Sequence, residues 1–172
     1  MKVLNRIVLI LFAFTLFVSI NAENTSAATY IDKEFATLAK KGQLKGAKGK
    51  IGMTYSSLKK QSKGSVGQSE SYLWYTTAKT SYGFFYGNSY DKISSKQKVV
   101  LIHRDLSGNI TAKQMQKYFG KPVAKNVYKA GKYYVRFENN NPSKGKCFVH
   151  IGTKDAINSW YTYDEDGTLT VK

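Results

Sequence analysis

Cysteine is nearly absent. Cys147 is the single one in 172 residues, so no disulfide can form within the chain. A domain without such staples depends on its apolar core. Arginine is also scarce: three of the 27 basic residues are Arg and the rest are Lys. Lysine is a hydrated point charge without the planar fork that reads phosphates and bases bidentately, which argues for diffuse attraction and against specific nucleic-acid readout. Acidic residues are the third shortage, 11 against 27, for a formal net charge of +16. The imbalance is concentrated, because residues 35–137 hold twenty Lys and Arg against only Glu70, Asp91 and Asp105. A field of this sign gathers anionic partners such as teichoic acids, acidic lipid headgroups or nucleic acid. No second long apolar run follows Val18, so the later chain offers no membrane span.

The first 22 residues have the layout of a secretory signal peptide. Lys2 and Arg6 precede an apolar run from Ile7 to Val18, and Ser19, Asn21 and Ala22 follow. The run is short of the ~20 residues of a transmembrane helix. Cleavage is expected after Ile20-Asn21-Ala22, or alternatively after Ser26-Ala27-Ala28, and no cysteine follows that would carry a lipid. The remaining 150 residues carry 25 basic and 11 acidic side chains, a net charge of +14. That length suits one domain. The sequence therefore predicts a signal peptide at 1–22, a flexible leader at 23–29 and a single α+β domain over 30–172, secreted or held at the cell wall.

Within that domain, Ile31, Phe35, Leu38 and Ala39 share one face of a helix stopped at Gly42. Thr54 is placed to cap a second short helix carrying Tyr55 and Leu58, ending near Gly64. Ser71–Thr76 and Ser81–Tyr86 are aromatic runs that read as an antiparallel hairpin. Tyr82, Phe84 and Tyr86 share one of its faces. Val99–His103 reads as a buried strand. Thr111 then caps another helix, with Met115, Tyr118 and Phe119 inward and Gly120-Lys121-Pro122 as its end. Strands follow at 123–128, 133–138 and 146–152, the last two joined by a polar loop at 139–143. A final hairpin is expected from Ile157–Tyr163 and Thr168–Val171 around Asp166-Gly167. The order predicts an antiparallel sheet with two or three short helices on one face, and a degenerate tandem repeat of helix followed by strands.

Several segments together resemble the YjgB-like family of small secreted Bacillus proteins, whose role is unassigned. They are Lys41-Gly42-Gln43-Leu44, Ile51-Gly52-Met53-Thr54 with Leu58, Tyr82-Gly83-Phe84-Phe85-Tyr86, Phe119-Gly120-Lys121-Pro122 and Gly131-Lys132-Tyr133-Tyr134. These are mainly turn and core residues, so the likeness concerns fold more than chemistry. The chain departs from the pattern at Lys63-Gly64-Ser65-Val66, which lacks the Gly-x-Pro turn that follows the Thr111-capped helix. The helix-then-sheet plan also looks loosely like the β-lactamase inhibitor protein and small outer-membrane assembly lipoproteins. That likeness implies a binding role for an aromatic sheet face.

Catalytic motifs do not survive inspection. His103-Arg104-Asp105 spells the start of a kinase catalytic loop, but no Asn follows at the needed offset and no Gly-rich phosphate loop precedes it. Cys147 and His150 invite a nucleophile pair, yet three residues of strand put them on opposite faces. Cys147, in the run Cys147-Phe148-Val149, is expected to be a small buried hydrophobe. Two histidines and one cysteine share no ligand spacing, and Asp164-Glu165-Asp166-Gly167 lacks the ladder of a calcium loop. No cofactor is called for. The remaining signal is a population of Tyr, Trp and Phe too large for one small core to hide completely. The expectation is a monomeric, non-enzymatic module that binds an extracellular protein or an anionic cell-wall polymer. An aromatic strip of Trp74, Tyr82, Phe84 and Tyr86 would make the contact, rimmed by Lys59, Lys60 and Lys63. The alternative is a small wall-acting hydrolase whose acids the sequence does not identify.

Overall fold

A computed structural model describes residues 26–141 and 144–161. The signal peptide expected at 1–22 and the strand expected at 168–171 lie outside these residues. The core is a seven-stranded, wholly antiparallel sheet in the order β1-β2-β3-β4-β7-β6-β5. Its strands are β1 (Ser65–Gln68), β2 (Tyr72–Thr76), β3 (Ser81–Phe85), β4 (Leu101–Ser107), β5 (Val127–Ala130), β6 (Tyr133–Asn141) and β7 (Lys146–Gly152). Among the described residues five helices accompany it: α1 (Ala27–Tyr30), α2 (Lys33–Lys40), α3 (Tyr55–Gln61), α4 (Ala112–Phe119) and α5 (Lys154–Tyr161). The fold is α+β. A helix followed by a three-stranded meander occurs twice, as α3-β1-β2-β3 and α4-β5-β6-β7, with β4 between the two meanders.

Local chemistry sets the helix starts. The Asp32 carboxylate accepts from Phe35 N at the head of α2, and Thr54 Oγ1 accepts from Ser57 N at the head of α3. Thr111 and Gln114 form a reciprocal capping box on α4, which Gly120 ends at a φ of 77°. Each of these helices turns its apolar side to the sheet, through Phe35, Ala36 and Ala39, through Leu58, and through Met115. They meet Leu73, Tyr75, Tyr82, Phe84, Ile102, Val135, Val149 and Ile151 in one continuous core.

Four differences from the sequence reading have clear causes. The leader expected at 23–29 is anchored from Ser26 onward: Ser26 bridges to Ser107 and Ala27 is fully buried. The strand expected at 123–128 begins only at Val127, because Asn126 takes a φ of 59° and Val127 N closes a turn on Ala124 O. The loop expected at 139–143 starts later, since β6 runs on to Asn141 across an irregular register. The Asn139 side chain bonds both the N–H and the carbonyl of Ile110, at 3.0 Å each. Finally, 154–161 is a helix, with Thr153 Oγ1 accepting from Ala156 N. That helix lies on the opposite sheet face, where Ala156 and Ile157 pack on Tyr72, Leu101 and Val127. The three short helices α2, α3 and α4 thus share one face, as expected, and α5 adds a helix on the other.

Candidate functional site

The residues expected to form an aromatic strip are divided by the sheet. Tyr82 and Phe84 are 1 % and 0 % exposed, sealed beneath α3, so neither is available to a partner. The reason is local. Gly49 leaves just enough room for Leu58 and the Tyr82 ring, since an added Cβ would sit 2.7 Å from each. The Tyr82 hydroxyl accepts from the Lys48 and Gly49 amides at 3.1 and 3.0 Å, so its polar tip is satisfied inside. Trp74, partly exposed, lies on the other face, and its Nε1 donates to Ser69 Oγ at 2.9 Å. Tyr86, also partly exposed, donates from its hydroxyl to Ser69 O and stands 5.2 Å from the exposed Tyr90 ring.

Tyrosine hydroxyls explain how so many aromatics are buried. Tyr30 donates to Lys45 O at 2.8 Å, Tyr72 to Ala156 O at 2.5 Å and Tyr75 to Ser62 O at 2.7 Å. Burial raises the Tyr72 phenol to about 12 and raises Tyr30 and Tyr82 as well, so all three stay neutral.

The lysines behave differently. Lys59, Lys60 and Lys63 are all exposed, the first two on the last turn of α3 and the third just before β1. Lys59 Nζ stands 6.0 Å from the Tyr55 ring centre. The outer sides of α2 and α4 carry exposed Lys33, Lys40, Lys113 and Lys117. Between described residues, the lysine ion pairs are those of Lys45 alone, with Asp32 at 2.6 Å and Glu34 at 2.9 Å. Of the three acids within 35–137, Asp105 faces His103 and Asp91 bonds Ser89, while Glu70 lies in the turn after β1. Among the described residues, the helical layer is thus a cationic surface whose exposed lysines on α2, α3 and α4 have no carboxylate partner.

Sequence reasoning missed the chemistry on the opposite face. Register puts His103, His150 and Arg136 in one row across β4, β7 and β6, and Asp105, Phe148 and Glu138 in the next. On β4 the Asp105 carboxylate lies 3.3 Å from His103 Nε2, and on β6 Glu138 pairs with Arg136. His103 Nδ1 and His150 Nε2 are 2.5 Å apart, which holds one proton between them. Phe148 stacks on His150 with ring centres 4.7 Å apart, and Trp74 stands 6.3 Å from His103. Burial, then the neighbouring His103 and Arg136, hold His150 well below the usual histidine range. The Asp105 carboxyl is lowered chiefly by its bond to His103.

Asp105, His103 and His150 form one polar grid, and among the described residues neither Ser81 nor Cys147 supplies it with a nucleophile. Ser81 pairs with His103 across β3 and β4, yet its hydroxyl is engaged with Thr76 Oγ1 at 3.1 Å. Cys147 faces the other way, into the helix-covered core, as alternation requires. Burial raises its thiol to about 11. Comparison with protein-family models, curated proteins and solved structures finds no match. Among the described residues, no cluster of three or more His, Cys, Asp or Glu could hold a metal ion. No helix among them is long and apolar enough to cross a membrane.

Proposed function

We propose that this chain is an exported, non-enzymatic binding module that holds anionic cell-wall polymer through the lysines of its helical layer. One observation carries the proposal: among the described residues the exposed lysines of α2, α3 and α4 form no ion pair, because the lysine pairs there all belong to Lys45. Lysines spread over α2, α3 and α4 suit a repetitive polyanion, which needs charge density and no fixed register. Export of the mature chain and membership of the YjgB-like family are parts of the same proposal, resting on the leader and on the turn motifs.

The test is sedimentation of the purified mature protein with cell wall, before and after removal of its anionic polymers. Binding is expected at low salt and should disappear near 1 M, where the screening length falls to about 3 Å. The K59E/K60E/K63E triple variant should bind more weakly. Retention at 1 M salt, or equal binding to wall stripped of anionic polymer, would refute the proposal.

A further inference from the structure

We infer that the outer edge of β1 is a docking strand for an extended, acidic segment of another protein. This goes beyond the polymer proposal: it rests on backbone groups at one edge of the sheet, and it shares with that proposal only Lys59, Lys60 and Lys63.

β1 ends the sheet, and all four of its residues, Ser65 to Gln68, are exposed. Its outward groups follow from the turn that joins it to β2. Ser69 N donates to Tyr72 O at 2.9 Å, so that pair is hydrogen-bonded. In an antiparallel ladder bonded and non-bonded pairs alternate. Gly67 opposite Trp74 and Ser65 opposite Thr76 are then bonded pairs, while Val66 opposite Tyr75 and Gln68 opposite Leu73 are not. The N–H and C=O of Val66 and Gln68 therefore point away from β2. Among the described residues nothing pairs with them. These two donors and two acceptors, at strand spacing, form a template for one more strand.

Edges of this kind are ordinarily blunted by charge, proline or a bulge, and Ser65-Val66-Gly67-Gln68 has none of these. Charge instead sits at one end of it: Lys63 precedes β1 by two residues, and Lys59 and Lys60 end the helix before it. That position selects the occupant. An added strand carrying Asp or Glu at the Lys63 end would gain opposite charge, whereas a second copy would bring its own lysines and the +16 charge of its chain.

Because Val66 N–H faces outward, Val66→Pro removes a docking donor without removing a bond to β2, which a sheet edge tolerates. Gln68→Pro does the same at the second position. The probe is a synthetic peptide of four alternating threonine and valine residues followed by three glutamates. Titration of the protein observed by amide NMR should shift Val66 and Gln68 and slow their hydrogen exchange, with Ser65 and Gly67 protected already. Each proline variant should weaken the peptide at least tenfold while leaving wall sedimentation unchanged. K59E/K60E/K63E should weaken both. Absence of peptide binding at millimolar concentration would overturn the inference. So would saturation that leaves the Val66 and Gln68 amides unprotected, full binding by both proline variants, or protection of these amides by concentration-dependent dimerisation instead of peptide.

Discussion

Mild acid should destabilise this fold through His150. The ring is fully buried and held well below the usual value of 6.5 by desolvation, with His103 and Arg136 adding to the effect. In the unfolded chain the same ring ionises near 6.5, so below that pH the unfolded state binds a proton that the folded state refuses. The histidine's stabilising contribution is complete above the unfolded value and is lost as pH falls. The limiting slope is about 1.4 kcal/mol per pH unit for one proton. Between pH 6 and pH 5 an unfolded ring with the ordinary value is already mostly protonated, which makes the loss about 1.2 kcal/mol. The carboxyls of Asp32, Asp91 and Asp105 are lowered from 3.8, so their stabilising contributions disappear only at more acid pH and leave this window to histidine. Urea unfolding of the wild type and of His150→Gln at pH 7.5, 6 and 5 measures the effect. The substitution should remove most of the dependence at some cost in stability at pH 7.5. A wild-type stability that is flat from 7.5 to 5, or a His150→Gln slope equal to the wild type's, would refute the reasoning.

Other perturbations have equally definite outcomes. Tyr82→Phe strands the Lys48 and Gly49 amides and should cost about 1–3 kcal/mol in chemical denaturation, with wall binding unchanged. Thr111→Ala removes the capping box of α4 and should cost about 1 kcal/mol in the same assay. Cys147, buried and with its thiol raised to about 11, should resist a thiol reagent at pH 8 in native buffer and react promptly in urea.

Much of the architecture was legible wherever one residue type does one job. Thr54 and Thr111 marked their helix starts, the Tyr72–Thr76 and Ser81–Phe85 runs paired as a hairpin, and alternation put Cys147 and His150 on opposite faces. The last helix was misread because Ile157-Asn158-Ser159-Trp160-Tyr161 is rich in residues that favour strands. The signal that finds it is the one that found the others: Thr153 is a third capping threonine, with Asp155 in the first turn. Which face a partner could reach was not legible. Period-two spacing grouped Tyr82 with Phe84, but only the packing of Leu58 against Gly49 and Tyr82 reveals that α3 covers them. The grid around His103 was hidden for a different reason: it needs the register of β4, β7 and β6, and no local pattern encodes which strands become neighbours.

The tyrosine hydroxyls that reach into connecting segments have a consequence for how this chain tolerates change. Tyr72, Tyr75 and Tyr82 fasten a helix or connecting segment to the sheet, and Tyr30 ties α1 to the segment after α2, each through main-chain carbonyls or amides. The gripped positions, Lys45, Ala156, Ser62, Lys48 and Gly49, can therefore drift in identity wherever space permits, and the fastening persists. A bond of this kind is also indifferent to oxidants and reductants, unlike the cystine bridges that commonly brace small exported domains. The scaffold should keep its shape across redox conditions while its outward chemistry diversifies.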